Sequence, residues 1–115
     1  MRFRPFLLAF ALSLPVLSQT APAHAADKCV ADAIIKAKQL LLLHSDNDDR
    51  AEIDEPTFKK TGTIKALRGK GKFDVIEGLG YVYKGEYRLR LYYADIGGDC
   101  VLMGQEVLEY SDPFS

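Results

Sequence analysis

Between Tyr87 and Tyr93 the side chains alternate without a break: Tyr87, Leu89, Leu91 and Tyr93 are separated by Arg88, Arg90 and Tyr92. A period of two sends successive side chains to opposite faces, so the run reads as a strand with one face in a core. The longer stretch around it, residues 81–100, passes through Gly97-Gly98, a turn signal, and ends on Cys100. The chain has 2 cysteines, and the other, Cys29, stands at the head of the one convincing helical pattern. A disulfide between them would tie that helix to the turn after the central strand. Any fold this chain adopts has to satisfy that link.

Whether the pair oxidises depends on compartment. Residues 1–25 have the three parts of a secretory signal peptide: Arg2 and Arg4, an apolar run from Phe6 to Val16, and Ala23-His24-Ala25 as a small-x-small cleavage site. The apolar run is about half the ~20 residues needed to span a bilayer, and Pro15 interrupts it. The expectation is cleavage near Ala25/Ala26 and a periplasmic or secreted product, with no membrane span once the leader is gone. Residues 26–115 then form a single domain, in which Cys29 and Cys100 pair because no third cysteine competes. The spacing excludes a CxxC redox motif.

Residues 29–44 place Val30, Ala33, Ile34, Ala37, Leu40, Leu41 and His44 on one helical face, with Asp32, Lys36 and Gln39 opposite. Asp27 is a candidate N-cap. The next twelve residues, 45–56, carry Asp46, Asp48, Asp49, Glu52, Asp54 and Glu55 against Arg50 alone, and read as a solvated acidic loop ended by Pro56. Counted from Asp46, carboxylates fall at the first, third and seventh places of an EF-hand loop. Arg50, Ala51 and Thr57 then occupy places that need a ligand, a glycine and a bidentate glutamate. A calcium loop is therefore not expected.

From Lys59 to Lys72 the sign reverses: Lys59, Lys60, Lys65, Arg68, Lys70 and Lys72 have no acid among them. Residues 61–68 read as a first strand and RGKGK as the hairpin turn after it. Residues 73–83 read as a second strand, with Gly78 and Gly80 marking a bulge or bend. Lys84-Gly85 reads as a turn into the central strand. Residues 100–110 read as the last strand, with Leu102, Leu108 and Tyr110 in phase with Cys100, Glu106 as the misfit, and Gly104 as the place where a bulge resets the phase. The predicted architecture is α+β: one N-terminal helix packed on a curled four-stranded antiparallel meander. Cystatin-like domains and small periplasmic inhibitors share that layout, although no family motif is present.

For function, the chain excludes more than it specifies. Its formal net charge is −1, which argues against a dedicated nucleic-acid binder. No cofactor motif is visible, and an enzyme is not expected. Only Ser45, Ser111 and Ser115 follow the leader as serine nucleophiles for His44, and none sits in a G-x-S-x-G elbow. Three readings remain. The first is a binding module acting by contact with a protein or another envelope component, as an inhibitor or accessory factor, through a face bearing Arg88, Arg90 and Tyr92. Arginine and tyrosine favour such faces because they bury large areas while keeping a polar handle. The second is a binder of small anions or anionic polymers through Lys59–Lys72, with Lys65, Arg68, Lys70 and Lys72 as the contacts. The third is a metal-dependent hydrolase at His44 and the acidic loop. Partner identity and oligomeric state have no signature in the residues.

Overall fold

The computed structural model describes residues 25–114, so the expected signal peptide lies outside the described residues. A helix, α1 (Ala25–His44), is followed by β1 (Ala51–Lys65), β2 (Lys72–Val82), β3 (Gly85–Ile96) and β4 (Asp99–Glu109). The four strands pair in sequence order as an antiparallel meander, and α1 covers one face. This is the predicted α+β layout.

The alternation in β3 does what its period demands. Leu89 and Leu91 are fully buried and Tyr93 nearly so, all turned towards α1. They meet Ile76 from β2 and Ala33, Ala37 and Leu41 from the helix. Small residues at Ala33 and Ala37 let the helix come close to the sheet, while Leu41 fills the space over Gly80. A Cβ on Gly80 would stand 2.9 Å from Leu41 Cδ2 and 3.0 Å from Leu89 Cδ1. Burying side chains such as Leu41, Ile76, Leu89 and Leu91 stabilises the fold by about 1.5–3 kcal/mol each. Where the buried tyrosine reaches the helix, its hydroxyl donates to Asp32 Oδ2 at 2.7 Å. Desolvation and that carboxylate push the Tyr93 hydroxyl well above the ordinary tyrosine range.

Cys29 and Cys100 form a disulfide, with Cα atoms 5.5 Å apart. It pins the start of α1 beside the β3–β4 turn, where Gly97 and Gly98 both take positive φ, +63° and +87°. Positive φ at both central residues is what a two-residue hairpin turn of type I′ requires. Lys28 Nζ donates to the Gly98 carbonyl and reinforces the same corner. At the other end of the helix, His44 packs edge-on against Tyr87, with ring centroids 5.4 Å apart.

Several local expectations need correction. Asp27 lies within α1 rather than ahead of it. Residues 45–56 are not one loop, because β1 begins at Ala51 and contains Glu52, Asp54, Glu55 and Pro56. Tertiary pairing wins here: Ala51–Asp54 pair with Leu79–Val82, and Ala51 is buried under the helix. The first strand is accordingly much longer than 61–68. Gly78 and Gly80 do not bulge β2. The irregularities lie on β1, a smaller one at Thr61 and a larger one between Asp54 and Lys59, opposite Gly78. There Phe58 turns inward and lays its ring over Gly78, occupying the space a Cβ would need. The turn into β3 is Tyr83-Lys84, with Tyr83 at φ +57°, and Gly85 is already in the strand.

In β4 a register shift opposite Tyr92 and Tyr93 leaves Met103 as the extra residue, directly before Gly104. It resets the phase, so Val107 packs on the core and Leu108 faces away, opposite Arg88. Glu106 then stands opposite Arg90 on the outer face, and it is no misfit.

Candidate functional site: the basic hairpin and the outer sheet face

The candidate contact residues fall into two groups that the meander keeps apart. Arg88, Arg90 and Tyr92 project from the middle of β3 on the face away from α1. The register sets Glu77 of β2 and Glu106 of β4 on either side of Arg90. Arg90 reaches Glu77 at 3.1 Å and Glu106 at 3.6 Å. Arg88 reaches Glu106 at 3.3 Å and Glu77 at 3.9 Å. Two cations and two anions thus form a closed lattice across three strands. Tyr92 lies over Gly104, which has no side chain to lift it; a Cβ there would be 3.3 Å from the ring. The lattice braces the sheet and leaves neither guanidinium without an acid.

The second group is Lys65, Arg68, Lys70 and Lys72, at the end of the β1–β2 hairpin. Thr61, Thr63 and Ile64 suit the extended strand through their branched Cβ atoms. The Ala66 amide donates to the Gly71 carbonyl at 2.9 Å and closes the tip, with Gly69 at φ +80° inside it. A side chain at that φ would be strained, so glycine allows the tight reversal. The tip runs Leu67-Arg68-Gly69-Lys70, about five residues or ~17 Å of strand beyond Val75, the outermost buried residue on β2. Lys65 and Lys72 are direct cross-strand partners.

The other cations are engaged, one of them on this hairpin. Lys36 pairs with Asp32, Arg50 with Asp48 and Lys60 with Asp74, while Lys38 donates to the Ala51 carbonyl and Lys84 lies near the Tyr83 ring. Among the described residues, the cations with no acid, carbonyl or ring partner are Lys59, Lys65, Arg68, Lys70 and Lys72. All five are on this hairpin. The apolar side chains beside them are also uncovered: Ile64 is 42% exposed, and Leu67, at 102%, is as open as in an extended peptide.

The third group does not assemble. Asp46 and Asn47, both at positive φ, close the end of α1, where the Asn47 amide donates back to Leu42 at 2.7 Å. Asp48 accepts from the backbone and guanidinium of Arg50, which hold its carboxyl down at about 2. Glu52, Asp54 and Glu55 have been carried onto β1. Among the described residues no three His, Cys, Asp or Glu side chains converge as metal ligands.

Two parts of this surface escape a sequence reading. Glu77 and Glu106 neutralise the arginines only through strand register, which nothing in the residues announces. Leu67 reads as an interior strand residue and proves to open the tip of the turn; its neighbours Arg68 and Gly69 are the available signal. No helix among the described residues is long and apolar enough to cross a membrane. Comparison of the chain with protein-family models, characterised proteins and solved structures found no match.

Proposed function

We propose that this is an exported binding module, periplasmic or secreted, that acts by contact rather than catalysis and docks an anionic envelope component through the β1–β2 hairpin. One observation carries the reading: the unpaired cations of the described chain are gathered on one hairpin, with Lys65 set opposite Lys72. Like charges directly opposite on a ladder destabilise it. A chain that keeps this arrangement, with the nearby Asp74 already paired to Lys60, has a use for the uncompensated charge. The disulfide fits an oxidising compartment. The cystatin-like layout suits a domain that presents a hairpin to a partner, as an inhibitor or accessory factor would, although layout alone carries no function. The hairpin ranks above the Arg88, Arg90 and Tyr92 face, because Glu77 and Glu106 already neutralise the charge of those arginines.

Two expected results test it. Binding to a soluble polyanion such as dextran sulfate should weaken steeply with salt as counterions are released. Replacing Lys70 and Lys72 by glutamine should cost roughly tenfold or more in affinity and flatten the log–log salt slope by about one per lysine. Titration followed by fluorescence anisotropy at several salt concentrations measures both. Salt-insensitive binding, or none, refutes the proposal.

Stability and binding should also part company. Lys72→Glu gives Lys65 an opposite charge and should stabilise the fold by about 0.2–1 kcal/mol, while removing polyanion binding. Urea unfolding beside the same titration reads the pair of effects, and a loss of both stability and binding would point to a merely structural hairpin.

A further inference from the structure

The tip of the hairpin carries a leucine that a purely electrostatic contact would not need. Leu67 is fully exposed, Arg68 and Lys70 stand beside it in the tip, and the Lys65–Lys72 pair follows directly behind. Gly69 and Gly71 add no bulk between them. The element is an apolar point surrounded by a collar of cations, projecting from the folded body. A lipid–water interface has the matching order: anionic headgroups outside and acyl chains a few ångströms deeper. Long cationic side chains can lie along that boundary with their charges at headgroup level while an apolar neighbour enters below.

Resting on the reading of the hairpin as the contact element, we infer that its partner is the surface of an anionic lipid bilayer, which Leu67 enters while Lys65, Arg68, Lys70 and Lys72 engage the headgroup phosphates. A soluble polyanion offers the anionic charge but nothing for an isolated leucine to enter. Single-residue entry makes the attachment peripheral, reversible and dependent on both terms.

The chain contains no tryptophan, so Leu67→Trp installs a sole reporter in the tip. The purified disulfide-bonded protein is titrated with vesicles of phosphatidylcholine containing phosphatidylglycerol, with pure phosphatidylcholine vesicles, and with dextran sulfate. The expected result is a blue shift of the Leu67→Trp emission with anionic vesicles alone. Leu67→Ser should weaken anionic-vesicle binding by roughly five- to tenfold and leave dextran sulfate binding unchanged. Lys70→Gln with Lys72→Gln should weaken both. If Leu67→Ser binds anionic vesicles as tightly as the parent, or the tryptophan stays in water on vesicles, the bilayer inference is overturned and the hairpin remains a polyanion- or acidic-protein-binding element. If the lysine substitutions change binding to no probe, the hairpin reading itself fails and the inference falls with it.

Discussion

Replacing Cys29 by alanine and Cys100 by serine is expected to lower the melting temperature by more than ten degrees. The bridge closes a loop across a sequence separation of 71. By the chain-entropy treatment, such a loop restricts the unfolded state by about 4 kcal/mol. A small domain shifts by several degrees per kcal/mol, and compact unfolded chains reduce the full effect somewhat. Alanine is the better substitute at Cys29, which is 2% exposed, because a serine hydroxyl buried there would add its own desolvation cost. The loss should also be local. Without the bridge, the first turn of α1 keeps the Lys28 contact to the β3–β4 turn, with Asp32 against the Tyr93 hydroxyl further along, whereas the last turns retain Leu41 over Gly80 and His44 against Tyr87. Amide exchange should therefore accelerate most near the helix start. Calorimetry with hydrogen exchange checks both points; a shift below about five degrees would show that loop closure is not what the bridge contributes.

Gly78→Ala is expected to cost about 2–4 kcal/mol, against the usual sense of the substitution. Glycine to alanine in an unstrained strand normally stabilises by about 0.4–1 kcal/mol, because the unfolded chain loses freedom. At Gly78 the new methyl would lie inside the ring of Phe58, a side chain 6% exposed. Either the ring is expelled, forfeiting much of the roughly 3–5 kcal/mol that removing a buried phenylalanine costs, or strands β1 and β2 separate around an overpacked contact. Both outweigh the entropic gain. Gly62→Ala is the internal control. It lies on the same pair of strands, with no positive φ and no atom within 4 Å of its added Cβ, and should be neutral or slightly stabilising. Phe58→Ala combined with Gly78→Ala should cost less than the sum of the two, since removing the ring removes the clash. Equilibrium urea unfolding of the four variants measures the cycle, and equal effects at Gly62 and Gly78 would refute the packing argument.

The elements that read correctly from sequence are those in which one local period decides. The run from Tyr87 to Tyr93 could bury only one face, and the helical spacing of Ala33, Ala37 and Leu41 could present only one stripe. Two cysteines left one pairing to make. Where local pattern and tertiary pairing compete, the reading slips. The acidic residues after Asp49 suggest loop, yet Ala51 and Ile53 are drawn into β1 because a strand there covers the helix and pairs with β2. Leu108 keeps the period set by Cys100 until Met103 breaks it, and a one-residue shift sends every later side chain to the opposite face.

Sequence by itself determined the fold class, the bridge, the buried face of the central strand and the presence of a basic segment, because each rests on residue type and spacing within a short stretch. Only the tertiary structure decided which charges are spent. Arg88 and Arg90 meet Glu77 and Glu106 across strand registers fixed by turn lengths and a bulge, whereas Lys65, Arg68, Lys70 and Lys72 run out past the last core layer and pair with no acid. Neutralisation depends on distances of a few ångströms between segments far apart in the chain, and those distances exist only once the meander has closed.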